Sequence, residues 1–539
     1  MNRSRTVGVL AGAGVFLAAC SGPTSQQEAG ETTDHFGYQL PTDVSTTNAG
    51  TMAGVSEMAQ TLSGRLYPGV FVPGPNGQMI PNTDLATTQV LPGAQRRVIY
   101  TLNEAATFSD GAPVTCTDYL LAFKAGETPE LFGSHMPLFS EVADLLCEPG
   151  SKEFTVVFNE GAGDRWRGLF GAGTVVPAHA VARKAGIDEN QLGDVLASSD
   201  VTGMYAIAQA WRDGFDLATF DPEMAAAFGP YRIESVGEAG EVTLVANESY
   251  HGDAPRTPKL VVWPASADTA TLAESGALRV AELPSSTPSW LDPNEEANPF
   301  DVKQAVGDLT DSLTFATNGI WAYHDYRRAF AACVDHGAVA AASSAASGLE
   351  VPPHLVHVVS ANDALARRFN DIVDPHGGVD PAAASVLAGM EIRIGYTGSS
   401  ARYAAMLEAV RASCEPFGVT VIDAGGDKTL GDLARVEFGE WGEAIETEGS
   451  IDVLLRPVDP ATEYTGVGTR AQDIAALRDN ERRLWEELPS IPLSPQPRNF
   501  VVDRNVGNVV VYTGSAGIGW NMDRWQAASP QSASMTENK

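Results

Sequence analysis

Positive charge is scarce in this chain. Among its 539 residues, Lys and Arg number 35 against 68 Asp and Glu, which gives a formal net charge of −33. A phosphate backbone would repel such a chain, so we predict no nucleic-acid partner. Hydrophobic residues make up 44% and charged residues 19%, which is typical of a globular protein. The length predicts two or more lobes rather than one simple core.

Motifs of the common enzyme classes are also missing. The sequence has no Gly-x-Ser-x-Gly elbow, no His-Glu-x-x-His and no Gly-x-x-x-x-Gly-Lys phosphate loop. His354 and His357 have a helical spacing, but no acid accompanies them, and a solvated or core pair is the better interpretation. The glycines of residues 514–519 stand at phosphate-loop spacing, where we predict a turn between strands. The protein is therefore predicted to be neither an enzyme nor a holder of a cofactor or metal.

Cysteine is rare as well, with five residues. Cys20 belongs to the N-terminal segment described next, which leaves Cys116, Cys147, Cys333 and Cys414. No Cys-x-x-Cys occurs, which disfavours zinc and thioredoxin chemistry. An even number in an exported chain favours two disulfides in one of three pairings, with free buried thiols as the alternative. We predict Cys116–Cys147 and Cys333–Cys414, because each pair then lies within one expected lobe.

The N-terminus has the three regions of a secretory signal. Residues 1–5 are positive, residues 6–18 are uncharged, and small residues precede Cys20. The apolar run is shorter than the roughly 20 residues that span a bilayer. Leu17-Ala18-Ala19-Cys20 resembles the bacterial lipobox, which implies a lipid on Cys20 and cleavage before it. An ordinary signal peptide with an incidental cysteine is the alternative.

The expected organisation at the two ends follows from this interpretation. We predict a signal peptide at 1–19, a lipidated flexible tether at 20–33 and a disordered tail at 528–539. The mature protein is then anchored to the outer face of the cytoplasmic membrane. No second apolar run approaches membrane-spanning length.

Hydrophobic periodicity predicts a mixed α/β chain. Strands are expected at 97–102, 154–158, 242–246, 392–396, 419–422 and 451–455. Helices are expected at 51–66, 117–124, 325–342, 402–417 and 470–488, followed by a strand-like tail at 491–520. The strand–helix–strand order between 392 and 422 predicts a parallel βαβ unit.

Four separated segments carry a family resemblance. Residues 100–115 (YTLNEAATFSDGAPVT) are followed by a hairpin pattern at 229–255, a helix at 326–335 and a closing helix with its exit at 483–493. In this order they resemble the bacterial extracellular solute-binding proteins of family 5, which serve peptide and nickel importers. The first segment has a structural explanation, because Asp110-Gly111 supplies a tight turn and Thr115 or Thr117 can cap a helix.

The resemblance implies a fold and a function. The fold is a two-lobed α/β periplasmic-binding-protein type, of class II or cluster C, with a ligand cleft between the lobes. Lobe I would comprise 34–312 and 489–527, and lobe II 313–488, with hinge closure around the ligand. The protein, a monomer, would capture a peptide or another small solute and deliver it to an ABC permease driven by an ATPase.

The second lobe departs from the family pattern. Arg456 stands where the family has a tryptophan, and only about ten residues separate Pro460 from the predicted helix at 470. The short lobe and the ending at 482–520 also resemble the LpqW subgroup of actinobacterial lipoproteins. That resemblance implies an alternative function: regulation of cell-envelope lipoglycan biosynthesis, with a membrane mannosyltransferase as partner.

Six side chains are predicted to contact a ligand; Asn48 is expected at the cleft edge of the first lobe, and the other five also have a structural interpretation. The six are Trp441, Arg456, Asp459, Tyr464, Trp321 and Asn48. The aromatic rings could stack on a ligand or belong to the core. Arg456 could clamp a carboxylate or phosphate, or form a surface salt bridge. Asp459 could pair with a ligand amine, or serve the turn before Pro460.

Overall fold

The computed structural model describes residues 36–75, 77–198, 200–283, 288–292, 294–466 and 474–527. The predicted signal peptide, Cys20 with its tether and the predicted tail lie outside the described residues. Within these ranges, no helix has both the length and the apolar character needed to cross a membrane.

The described residues form twenty strands of very different length. They are β1 Phe36–Gln39, β2 Phe71–Pro73, β3 Met79–Pro81, β4 Ala86–Leu91, β5 Arg97–Leu102, β6 Val142–Cys147, β7 Glu153–Phe158, β8 Tyr231–Val236, β9 Val242–Ala246, β10 Lys259–Trp263, β11 Val280–Leu283, β12 Phe300–Phe315, β13 Glu391–Tyr396, β14 Thr420–Asp423, β15 Val436–Phe438, β16 Ala444–Glu446, β17 Val453–Val458, β18 Ser490–Asp503, β19 Val506–Gly507 and β20 Gln526–Ala527.

The same residues form fifteen α-helices. They are α1 Met52–Ser56, α2 Gln60–Ser63, α3 Cys116–Glu127, α4 Pro129–Phe132, α5 Ala178–Ala185, α6 Glu189–Ala197, α7 Val201–Asp213, α8 Thr269–Glu274, α9 His324–Ala331, α10 His336–Ser347, α11 Asn370–Val373, α12 Pro381–Ala384, α13 Ala401–Cys414, α14 Pro460–Glu463 and α15 Ile474–Glu487. Short 3₁₀ helices also occur, at Pro137–Glu141, Trp166–Gly168, Gly319–Ala322, Ala366–Phe369, Asp374–His376, Ser385–Leu387, Glu415–Phe417, Leu430–Asp432 and Ile518–Arg524.

A ten-stranded sheet runs through the molecule in the order β14-β13-β17-β12-β18-β11-β1-β10-β9-β8. β13 pairs in parallel with both β14 and β17, and α13 connects β13 to β14. The predicted parallel βαβ unit is therefore confirmed. Every position of β17 is buried, as is usual for a strand covered on both faces.

Two large hydrophobic cores lie along this sheet, and a smaller third core surrounds Ala281, Phe300 and Val501. The first draws on residues between Phe36 and Val280, with the chain returning to it at Phe500 and in the C-terminal segment. The second draws on residues between Leu313 and Leu493. We call the halves built on these cores the first and the second lobe. The exact boundaries at 312/313 and 488/489 stay predictions.

β12 and β18 connect the two lobes. They pair antiparallel from Phe300 opposite Asp503 to Thr314 opposite Ser490. The ladder is irregular between Val306 and Thr310, where a Cβ at Gly307 would collide with a carbonyl oxygen. Such irregularities bend a ladder locally, and this bend lies between the two cores.

The segment that carries the strongest family resemblance is structural. It begins in β5, which belongs to the four-stranded sheet β4-β5-β7-β6. In the turn that follows, the carboxylate of Asp110 accepts a hydrogen bond from the amide of Ala112 at 3.1 Å. Thr115 then caps α3 together with Asp118, whose carboxylate accepts the amide of Thr115 at 2.8 Å. Of the two threonines considered from the sequence, Thr115 is thus the cap.

One disulfide lies in each lobe. Cys116 at the start of α3 is bonded to Cys147 at the end of β6. Cys333, between α9 and α10, is bonded to Cys414 at the end of α13. This is the pairing selected from the sequence, and each bridge closes a loop within one lobe.

Two predicted helices are interrupted. The helix expected at 325–342 is split into α9 and α10, because Asp335 caps the second helix by accepting the amide of Ala338 at 3.0 Å. The helix expected at 51–66 is split into α1 and α2, with Met58 between them at a positive φ of 55°. Periodicity predicted the buried faces but not these breaks.

The predicted strand-like tail at 491–520 is wrong beyond Asp503. After β18 the chain forms β19, loops and the 3₁₀ helix Ile518–Arg524. Gly514 and Gly517 therefore precede this helix and Gly519 lies within it, so the predicted turn between strands is wrong. Trp525, Ile518 and Met522 are buried in the first core, so the aromatic character of this segment reflects core packing rather than strand pairing.

Candidate functional site

A cleft of about 910 Å³ lies between the two lobes. The first lobe lines it with the 3₁₀ helix Pro137–Glu141 and with the 164–174 segment, and the second lobe with α14 and the segment from Val358 to Asp363. The cleft thus lies just beyond Val458, where β17 ends. Crevices outside the carboxyl ends of strands are the usual ligand sites of α/β sheets, and this volume lies in the range of small-molecule pockets.

A cluster of three side chains joins the lobes at the cleft. His135 of the first lobe contacts the carboxylate of Glu463 at 3.0 Å, and Glu463 also forms an ion pair with Arg456. Burial alone would raise the pKa of Glu463, but the charges of Arg456 and His135 outweigh it and hold this pKa well below its usual range. The carboxylate is therefore ionised at neutral pH and links both lobes.

Arg165 makes a second connection across the cleft. Its guanidinium donates to the carbonyl of Pro460 at 2.5 Å and to that of Val358 at 3.2 Å. Burial lowers the pKa of Arg165 to about 10, although the carboxylates of Asp459 and Glu141 act in the opposite direction. A side chain of the first lobe therefore hydrogen-bonds the main chain of two cleft segments of the second lobe.

Two of the six predicted ligand residues, Asp459 and Arg456, line the cleft. Asp459 caps α14 through the amide of Ala461 at 2.9 Å and accepts the hydroxyl of Ser515 at 3.2 Å. Burial raises the pKa of Asp459. This is the turn function considered as the alternative for Asp459, and it leaves the side chain on the cleft wall.

Arg456 is 1% exposed. Besides its ion pair with Glu463, its Nε donates to the hydroxyl of Thr314 at 3.1 Å. The expected salt bridge therefore exists, but it is buried rather than on the surface. A buried guanidinium that is already paired has less capacity left for a ligand.

The other four predicted residues do not line the cleft. Trp321 stacks on Phe315 in the second core at 5.1 Å, and Tyr464 is buried with its hydroxyl 2.9 Å from Ser490. Asn48 is buried and donates to the carbonyl of Trp211 at 2.9 Å. Trp321 and Tyr464 therefore have the core roles that were weighed against ligand contact, and Asn48 hydrogen-bonds the main chain within the first lobe.

Trp441, in contrast, is 74% exposed in the turn between β15 and β16. This hairpin of the second lobe reaches the first, where Phe438 packs against the first core. The ring of Trp441 therefore lies on the outer surface, near the junction of the lobes and outside the cleft.

Arg167 is a cleft residue that sequence reasoning missed. Its guanidinium carbon lies 4.5 Å from the ring centre of Trp166 and 5.7 Å from that of Phe71. Within the part of the chain that the structure describes, no ion pair of Arg167 is found, and the side chain is exposed on the cleft wall. The sequence offered no distinctive signal for Arg167, because adjacent arginines also occur at 96–97, 327–328, 367–368 and 482–483.

The histidine pair considered as a metal site belongs to the core. His357 contacts Glu481 of α15 at 2.9 Å and the carbonyl of Ser490 at 3.1 Å, and His354 contacts the carbonyl of Val359 at 2.9 Å. Burial lowers the pKa of His354. No group of three or more metal-binding side chains is found in the described ranges. The accompanying acid exists but lies 124 residues further along the chain.

Known proteins share this architecture. Solved structures of two binding proteins cover 92% of this chain: the oligopeptide-binding protein AppA of Bacillus subtilis, in complex with a nonapeptide, and AgaA of A. tumefaciens R10, in complex with agropinic acid. The TM-score is 0.64 for both, with 10% and 16% sequence identity over 99% and 98% of their chains. At these identities the likeness establishes the two-lobed fold.

Sequence comparison gives the family. The uncharacterized lipoprotein Rv2585c of Mycobacterium tuberculosis is 29% identical, over 96% of this chain and 96% of its own. The model of the bacterial extracellular solute-binding proteins, family 5 Middle, matches residues 81–424. This match covers more than half of the chain and includes β4 to β14. The chain therefore belongs to family 5 of the bacterial extracellular solute-binding proteins.

Proposed function

We propose that the protein is the membrane-anchored binding component of an ABC importer and captures a peptide in the cleft between its lobes. The observation that carries this proposal is the cleft itself, about 910 Å³ in volume and lined by both lobes. The family is one of solute-binding proteins, and the mycobacterial relatives are named lipoproteins. Both points support an extracellular location with a lipid on Cys20.

Arg167 favours a solute with a carboxylate. A guanidinium held over aromatic rings keeps its donors free, and arginine binds carboxylates through two parallel hydrogen bonds. The cleft wall also carries apolar side chains, among them Phe71, Leu138 and Leu309. A short peptide supplies a terminal carboxylate and apolar side chains, and it fits the volume.

The irregular ladder between β12 and β18 is the place where the lobes would move. Opening must break the contacts of Glu463 and Arg165, which cross the cleft. Both contacts re-form when the lobes close. The strength of these contacts therefore influences the equilibrium between the open and closed forms, and with it the entry and release of a solute.

A thermal-shift screen of di- to pentapeptides on the mature protein tests the proposal. A ligand at a hundred times its dissociation constant stabilises the fold by about 2.7 kcal/mol. For a peptide that binds, Arg167→Ala should raise the dissociation constant about 10- to 100-fold, because one charge-assisted contact is lost. The matched control is Arg97→Ala, an exposed arginine of β5 outside the cleft, which should leave binding unchanged. Failure of every peptide to shift the unfolding midpoint contradicts peptide capture.

A second function is favoured by one specific observation. Arg456 and Asp459, the charged groups expected at the ligand site, are both engaged inside the protein. A two-lobed fold of this kind could regulate lipoglycan biosynthesis through a membrane mannosyltransferase instead of delivering a solute. Co-purification of that enzyme, together with altered lipoglycans in a deletion strain, would support this function. Adjacent permease and ATPase genes would favour transport.

A further inference from the structure

A second, smaller cavity of about 110 Å³ lies between the lobes beside the cleft. Its second-lobe wall is formed by the loop from Thr397 to Ser400, which connects β13 to α13, and its first-lobe wall includes Asp43. Met58 and Pro457 line both this cavity and the large cleft. The two spaces are therefore neighbours on either side of a shared wall.

Hydrogen-bond donors without partners collect on the second-lobe wall. The hydroxyls of Thr397 and Ser400 and the Nε of Arg402 are buried, and no described residue offers any of them a partner. All three residues are more than nine-tenths buried. Buried polar groups are paired in most proteins, so three unpaired ones around one cavity indicate a missing acceptor.

The same wall contains the beginning of a long helix. α13 has 14 residues and starts after Ser400 without any side-chain cap. Gly398 turns the chain at a positive φ of 66°, which brings the end of a parallel strand directly to this helix N-terminus. Free amide groups and the partial positive charge of a helix N-terminus attract anions.

The neighbouring charges do not cancel this preference. Arg402 donates through Nη1 to Asp311 at 2.5 Å and to Ser343 at 3.0 Å, and through Nη2 to Asp311 at 3.4 Å. Its Nε is left without an acceptor among the described residues. On the opposite wall, Asp43 is occupied by the amide of Ser266 at 2.9 Å and by its hydroxyl at 3.0 Å. Glu282, which also lines the cavity, is paired with the buried Arg498. One oxygen of Asp43 and the carboxylate of Glu282 are therefore engaged by other groups, whereas the hydroxyls of Thr397 and Ser400 find no acceptor among the described residues.

We propose that this second cavity binds an oxyanion, meaning a carboxylate or phosphate group held by Thr397, Ser400 and the N-terminus of α13. The volume admits one such group with a few waters, but not a peptide. The oxyanion can be part of the captured solute and enter past Met58; this possibility rests on the proposed function. It can also be a free anion such as phosphate, and this possibility is independent of the proposed function.

The test uses the full mature chain and the double variant T397V/S400A. Sodium phosphate, sodium sulfate and sodium acetate are added at fixed ionic strength, with sodium chloride as reference. We expect at least one oxyanion to raise the unfolding midpoint of the wild type by about 2 °C or more, and to leave the double variant unmoved. The matched control Ser140→Ala, on the exposed surface of the 3₁₀ helix Pro137–Glu141, should respond like the wild type.

The unfolding midpoint of the double variant without added oxyanion shows whether the two hydroxyls bind an anion or support the fold. Since the two hydroxyls have no partners, their loss should leave the midpoint without added anion unchanged or higher. A lower midpoint would mean that the hydroxyls support the fold, and would overturn the proposal. No oxyanion effect beyond chloride, or an equal effect in the double variant, would overturn it too.

Peptides and their C-terminal amides separate the two sources. If a peptide acid binds the wild type better than its amide, and this preference is lost in T397V/S400A, the solute supplies the carboxylate. If phosphate stabilises the protein while no peptide binds, the oxyanion site stands and the proposed peptide capture fails.

Discussion

Glu463 contacts both lobes with a single side chain. It lies on α14 of the second lobe, pairs there with the buried Arg456 and reaches His135 of the first lobe. Its contact with His135 was not predictable, since His135 is 328 residues away along the chain. The ion pair matters mainly because Arg456, without it, would keep a buried and uncompensated charge.

We expect Glu463→Gln to lower the free energy of unfolding by about 3–5 kcal/mol, because it removes one partner of a buried pair. Urea denaturation of the variant and the wild type measures the loss. The control Glu486→Gln, on the exposed face of α15, should change it by less than about 0.5 kcal/mol. Equal stability of wild type and E463Q would show that the cluster contributes nothing.

The same carboxylate has a pH dependence with a definite sign. Its pKa in the folded protein lies below the ordinary glutamate value of 4.5, so the unfolded chain binds the proton more readily. The stabilisation by Glu463 is therefore present above about pH 4.5 and is lost as the pH falls further towards the folded pKa. The difference in unfolding free energy between wild type and E463Q should shrink accordingly between pH 6 and pH 3.

At the scale of single elements, the sequence predicted strand and helix boundaries best where the hydrophobic pattern was uninterrupted. β5, β7, β9 and β13 were expected within a residue or two, because alternating or continuous apolar residues specify strands. Interruptions of helices were missed where a single residue ends or starts a helix within a continuous hydrophobic pattern. Asp335, for example, begins a new helix because its side chain satisfies the first amides of α10.

The stabilisation expected from each disulfide grows with the logarithm of the length of the loop that it closes. The Cys333–Cys414 bridge spans 81 residues and the Cys116–Cys147 bridge spans 31. Loop-closure entropy predicts losses of about 4.5 kcal/mol for C333S/C414S and about 3.7 kcal/mol for C116S/C147S. Chemical denaturation of both double variants gives the two values. A larger loss for the shorter loop would mean that local packing, rather than loop closure, dominates.

At the scale of the whole molecule, the predicted lipid on Cys20 determines where the fold works. We expect Cys20→Ala to release the protein from membranes into the soluble fraction, because it removes the thiol that would carry the lipid. Fractionation with a salt wash, followed by immunoblotting, measures this. A variant that stays in the washed membrane fraction would contradict the anchor, and Ser21→Ala is the matched control that should stay anchored.

The sequence alone determined the family, the two-lobed α/β fold and the parallel βαβ unit, because these depend on local periodicity and on motifs in a fixed order. It also led to Asp459 and Arg456 as residues near the cleft. Only the tertiary structure decided what those residues do. The fold buries Arg456 against Glu463, brings Arg165 and His135 across from the first lobe and leaves Arg167 free on the cleft wall. Side chains that lie hundreds of residues apart in the sequence come into contact only when the lobes pack, so local sequence patterns do not predict these contacts.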